Sequence, residues 1–131
     1  MTTAKKPDLS VAAERDKITG GKRSDKWPAV EHAHLKQFPT CASCGSTTKL
    51  NVHHKYPFHL HPELELDPTN LITLCMDPAT ECHIKVGHGD NFKAYNPDVE
   101  PDAEYVSEHK DNLQKVLTEV AANAKKKRLF G

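Results

Sequence analysis

Between Cys41 and His88 the chain concentrates all four of its cysteines and six of its nine histidines. Cys41-Ala-Ser-Cys44-Gly45 has the two-residue gap and trailing glycine of a zinc knuckle. Such a turn aims two sulfurs at one point and lets backbone amides approach them. Cys75 and Cys82 form a second pair with an unusual six-residue gap. That gap is expected to bulge outward at Asp77-Pro78 and Thr80 and return Cys82 to the same ion. Four thiolates make a closed tetrahedral site, so Cys41, Cys44, Cys75 and Cys82 are assigned to structural Zn2+. An ion there would contribute much of the folding free energy of a small domain. The alternatives are four reduced cysteines in a core, or one knuckle that binds nothing. The histidines offer different chemistry, since a neutral imidazole accepts a proton or ligates a divalent ion near pH 7.

Singly, each of these residues has an ordinary reading. Their order does not: Phe38-Pro39-Thr40-Cys41-Ala42-Ser43-Cys44-Gly45, then Val52-His53-His54, Asn70-Leu71, Cys75, and Cys82-His83. In this order the stretch from Trp27 to His88 resembles the HNH endonuclease family, part of the ββα-metal group that includes colicin DNases and phage endonucleases. The resemblance implies that His54 is the general base and that His53 and His83 hold a catalytic divalent ion (Mg2+, Mn2+, Ni2+ or Zn2+). Asn70 is then expected to hydrogen-bond across the following loop and keep His54 in orientation. The chemistry is coherent. Phosphodiester hydrolysis needs a base for water and a counter-charge for the phosphate. Two departures from the family pattern stand out, namely the long second cysteine gap and the Pro-, His- and Glu-rich loop after His54.

His88 lies five residues after His83, an awkward spacing on a regular helix. It is assigned as a third ligand if Gly87 ends the helix and swings it back. Lys55, Lys85 and Lys93 are candidate phosphate contacts, with solvated lysine as the alternative. His59 and His61 are expected at the surface, with substrate contact as the alternative. Adjacent strand residues point to opposite sides, so His53 and His54 can share one site only if the strand breaks between them. Pro57 is expected to force that exit, leaving His54 at the start of the loop.

These residues need a scaffold. Ser24 reads as the N-cap of a helix whose Trp27, Val30, His34 and Phe38 share a face, with Trp27 and Phe38 packing it on the zinc module. Residues 50–53 and 70–75 read as two short strands, and residues 81–86 as a helix ending near Gly87. Residues 90–98 suggest one helical turn. From Ala103 to Lys127, Val106, Leu113, Val116, Leu117 and Val120 form a helical stripe that fits intramolecular packing better than a dimer seam. The expected class is α+β: a ββα-metal core of hairpin and helix, zinc knuckles, and flanking N- and C-terminal helices. The expected divisions are a flexible arm at residues 1–22 with a short helical piece at 9–18, a nuclease domain at 23–98, and a C-terminal helix with basic tail at 99–131.

At 131 residues, 37% hydrophobic and 27% charged, the chain supports one thin core that calls for a staple. Net charge is zero, but residues 1–50 carry +4, residues 51–108 carry −8 and residues 109–131 carry +4, ending in Lys125-Lys126-Lys127-Arg128. Basic ends grip phosphates or simply solubilise. No apolar run approaches a membrane span, and paired cysteines fit a reducing cytoplasm. DNA is the expected partner and no membrane is. A homodimer for double-strand cutting, or a phage packaging or other protein partner, is compatible with the family resemblance. The competing reading is a catalytically inactive, zinc-stabilised nucleic-acid- or protein-binding module. RNA cleavage is a third.

Overall fold

A computed structural model describes residues 23–130. The expected arm at residues 1–22, with its helical piece at 9–18, lies outside them. Helix α1 (Trp27–Gln37) has Pro28 in its first turn, where a missing N–H is harmless. Ser24 does not cap it. The Ser24 hydroxyl accepts from Lys26 N and its carbonyl from Trp27 N, so it builds the turn just before the helix. The inward stripe runs through Trp27 and His34, while Phe38 is exposed and only stacks on His34. Phe38 thus does not pack the helix as its sequence position suggested.

Strands β1 (Leu50–His54) and β2 (Leu71–Cys75) form an antiparallel hairpin with Leu50 opposite Cys75 and His54 opposite Leu71. β2 is buried at every residue. Helix α1 contacts both strands. A five-residue π-helix (His83–Gly87) contacts both strands as well, and helices α2 (Val99–Glu108) and α3 (Leu113–Phe130) pack on it in turn. The core follows this order: Leu74, Cys75, Cys82, Val86, Val99, Val106 and Leu117 are all essentially inaccessible.

The single C-terminal helix expected from the sequence is two helices. A 3-10 turn at Lys110–Asn112 breaks it, in a run whose Asp and Asn are weak helix formers. The break lets Val106 on α2 and Val116, Leu117 and Val120 on α3 cover one core from two directions. The stripe is therefore consumed within the chain. Residues 90–98 form turns and no helix. The loop between the strands is ordered by two 3-10 turns, Pro62–Leu64 and Pro68–Asn70, each with proline at its start. His61 sits inside this loop, buried against Tyr56 and 3.6 Å from the Glu63 carboxylate, and not at the surface as expected. Among the described residues no helix is long and apolar enough to cross a membrane.

Candidate metal centre

The four cysteine sulfurs lie within 4.8 Å of one another. Cys44 N approaches Cys41 Sγ at 3.5 Å, the amide-to-sulfur contact expected of a knuckle. The six-residue gap closes because the Asp77 carbonyl accepts from Thr80 N and Glu81 N, and its carboxylate from Ala79 N. Glu81 then takes a left-handed conformation (φ 46°) and turns the chain back to Cys82. Pro78 is exposed as expected, with Ala79 beside it and Asp77 half-buried. Thr80 is instead buried, with its hydroxyl 3.4 Å from Cys44 Sγ and 3.3 Å from Cys75 Sγ.

The thiols carry the same message. The Cys82 thiol donates to Cys41, holding Cys41 down at about 5, while that bond, burial and the charge on Cys41 push Cys82 up. Burial raises Cys44 as well. Four sulfur donors held this close, three of them buried, fit zinc, which would take them as thiolates.

A second cluster is made only of imidazoles. His53, His83 and His88 offer ring nitrogens within 4.8 Å of one another. Ring centroids are 5.0 Å apart for His53–His83, 4.7 Å for His53–His88 and 4.9 Å for His83–His88. The five-residue spacing works because the backbone is a π-helix. Residues His83–Gly87 wind as a π-helix with His88 as its C-cap, and the wider turn brings positions 83 and 88 to one side, while His88 N and Asp90 N both bond to the Ile84 carbonyl and close its end.

Hydrogen bonds fix which nitrogen each ring presents. The Ala94 carbonyl accepts from His88 Nδ1 at 2.7 Å, and Asn51 Oδ1 accepts from His83 Nδ1 at 3.1 Å. Both Nε2 atoms therefore present lone pairs, and they face each other at 3.3 Å. His53 is almost fully buried, and its Nε2 has no hydrogen-bond partner among the described residues. Burial, then the neighbouring imidazoles His88 and His83, hold His53 well below the usual histidine range. Burial and His88 lower His83 to about 4, and burial lowers His88. Three neutral imidazoles with lone pairs converging on one point fit a divalent cation.

Both clusters fall within one stretch of chain, and that stretch is similar to a known family. Residues 41–89 match the HNH endonuclease family. The match opens on the first cysteine and closes just past His88. No curated protein and no solved structure matches the chain significantly. The HNH segment has the expected mixed architecture of hairpin, helix and four-cysteine cluster. The match likens this segment to a nuclease-type or nucleic-acid-binding module.

Within the HNH segment His54 does not join the three imidazoles. The strand continues through His54, pairing it with Leu71, and no break separates it from His53. The two rings therefore leave on opposite sides. His54 lies against Trp27, with ring centroids 4.5 Å apart, and its Nε2 is 2.9 Å from the Glu65 carbonyl. A carbonyl only accepts, so Nε2 carries the proton and the other ring nitrogen keeps its lone pair. Burial lowers His54 below the usual range, and the ring is neutral at pH 7.

Asn70 is fully buried at the end of a 3-10 turn, one residue before β2. Its amide donates to the Tyr56 and Leu64 carbonyls and accepts from Tyr56 N, while its own carbonyl accepts from Lys55 N. It clamps both ends of the loop that starts after His54. Lys55, expected to face phosphate, is mostly buried and paired with Glu100 at 2.6 Å, so its charge is already engaged. Lys85 is half-buried on the π-helix, and Lys93 is exposed in the loop that follows.

Three residues escaped the sequence reading. Asn51 holds His83. Glu65 accepts from Arg23 Nε at 2.6 Å and from Ser24 N, and supplies the His54 carbonyl. Asn96 is buried, with its amide donating to the Val86 carbonyl and the Asp102 carboxylate and its N–H to the Gly87 carbonyl. It thereby closes the open end of the π-helix. Asn96 looked like an ordinary Asn-Pro stop. For Asn51, its place on the same strand face as His53 was the available signal.

Proposed function

We propose that this protein is a metal-dependent endonuclease that hydrolyses DNA phosphodiester bonds. The observation that carries the reading is the convergence of His53, His83 and His88, with the Nε2 lone pairs of the last two aimed inward by hydrogen bonds at Nδ1. These three would hold the catalytic ion, and the four cysteines a structural zinc. When bound, a divalent cation at the imidazoles polarises a phosphate oxygen and offsets the charge that develops on it.

The remaining steps belong to the chain. His54 does not line the ion site; as the base it accepts the proton of a water that approaches the phosphate past the end of β1, through the ring nitrogen that the Glu65 carbonyl leaves free, a role that suits a neutral imidazole. The Glu65 carbonyl and Trp27 keep that ring from rotating. Asn70 holds the loop that carries the carbonyl. Lys85 and Lys93, together with the exposed lysines of the C-terminal tail, contact phosphates along the strand. The functional domain spans residues 23–98, with α2 and α3 closing its core.

Plasmid relaxation with Mg2+, Mn2+, Ni2+ or Zn2+ tests this reading, comparing the natural chain with His54→Ala and His83→Ala and analysing product ends. His54→Ala is expected to slow cutting by about 10²–10⁴-fold, and products are expected to carry 5′-phosphate and 3′-hydroxyl ends. Equal rates for the natural chain and His54→Ala remove His54 as the base. No cutting under any ion, with DNA still bound, favours the inactive binding module. Parallel RNA substrates decide between the two nucleic acids.

A further inference from the structure

Phe92 is 54% exposed, yet it touches the imidazole cluster. Its ring lies edge-to-face with His83 at 5.6 Å and with His88 at 5.0 Å between centroids. The loop that carries it is tied to one of the candidate ligands at both ends. Asn91 N bonds to the His88 carbonyl just before Phe92, and the Ala94 carbonyl accepts from His88 Nδ1 just after it. Within the loop Ala94 N bonds to Asn91 O at 2.9 Å. Phe92 is therefore held beside the site by the residue that helps form it. A large apolar ring is thus left more than half in water beside the site. Exposed Lys93 follows it directly.

We propose that Phe92 is a stacking platform for an unpaired nucleobase adjacent to the phosphate held at His53, His83 and His88. This rests on the endonuclease reading and narrows it to DNA that is single-stranded or locally unpaired at the cut. The chemistry matches the occupant. A base has a π-face that an aromatic ring recognises whatever the sequence, and it is available only when the base is out of the duplex. The phosphate flanking such a base is the group that an ion at the imidazoles would hold, and Lys93 offers a second positive charge beside it.

The test uses the full, Ni2+-loaded chain and a phosphorothioate oligonucleotide, which resists hydrolysis, carrying one 2-aminopurine, presented as single strand and as duplex. The natural chain is expected to bind the single strand about ten-fold more tightly than Phe92→Ala, to quench 2-aminopurine, and to keep both properties in Phe92→Tyr. Duplex affinity is expected to stay equal in all three. Single-strand binding that is unchanged in Phe92→Ala overturns the stacking proposal and leaves the endonuclease reading intact. So does an equal loss for single strand and duplex together with weaker Ni2+ binding by calorimetry, because Phe92 would then only shield the imidazoles. A natural chain that binds neither DNA form removes both.

Discussion

Asn51 Oδ1 accepts a hydrogen bond from His83 Nδ1 at 3.1 Å, from a strand position two residues before His53. One strand thus supplies an imidazole to the cluster and the group that orients another imidazole on the π-helix. Partners of this kind fix the tautomer and raise ligand basicity. Asn51→Leu is expected to weaken divalent-ion binding at the imidazoles by about 10–100-fold. Calorimetric titration with Ni2+ measures it, and the circular dichroism spectrum should not change. Unaltered affinity would mean that His83 needs no help from the strand.

Gly87 packs tightly against the hairpin. A Cβ there would sit 3.1 Å from Leu74 Cδ1 and 3.2 Å from two atoms of the His53 ring. Gly87→Ala therefore pushes on a core leucine and a candidate ligand together. Overpacking of this kind typically destabilises by about 1–3 kcal/mol. Thermal melts should report that loss, and Ni2+ affinity should fall with it. A melt and an affinity that both match the natural chain would show that the backbone relaxes freely at this point.

The four-cysteine cluster ties the segment before β1 to the end of β2 and the start of the π-helix. Without a cation the Cys82 thiol keeps its proton by donating it to Cys41, which raises Cys82 and lowers Cys41, whereas four thiolates at this spacing would repel one another. Strong chelation is expected to unfold the domain and not merely silence it. Far-ultraviolet circular dichroism before and after chelation checks this, with readdition of Zn2+ restoring the signal. Helix content that survives full zinc removal would limit the cluster to a local role.

His34 gives a pH dependence separate from either metal cluster. It is buried on α1, with Nε2 unpartnered among the described residues, and burial followed by the charge of Lys55 lowers it below 6.5. Lys55 is itself paired with Glu100. Below about 6.5 the unfolded chain takes up a proton at this position that the folded chain resists, so stability falls as the pH falls and is level above that value. His34→Leu should flatten this part of the profile. Denaturant melts of both proteins from pH 7.5 to 5 make the comparison, and parallel profiles would assign the acid sensitivity elsewhere.

How much of this the sequence disclosed depends on what fixed each residue. Cysteine spacing and the His-His pair carry chemistry in their identities, so the two clusters were legible. The strands were legible too, within a residue, because Leu, Ile, Val and Thr runs have little else to do. His88 was readable only as an awkward spacing, since the wide turn that rescues it depends on tertiary packing at Gly87 and on the Asn96 clamp. The side to which His54 turns was misjudged. Pairing with Leu71 keeps the strand intact one residue further than Pro57 suggested. Asn51 and Asn96 were silent because a carboxamide announces no partner until the backbone brings one to it. The division of the C-terminal helix was hidden for a related reason. Its apolar stripe is continuous by period, while the core it covers is bent.

Val86, in the middle of the π-helix, is wholly covered, and much of that cover comes from α2 and α3, beyond the end of the family match. Lys55 reaches across the same boundary to Glu100, as does Asn96 to the carbonyls of Val86 and Gly87. What is shared with other proteins and what can stand alone in water are thus two different lengths of polypeptide. A chain trimmed at Gly89 would keep every candidate ligand yet leave an oily wound on the back of the helix that holds two of them.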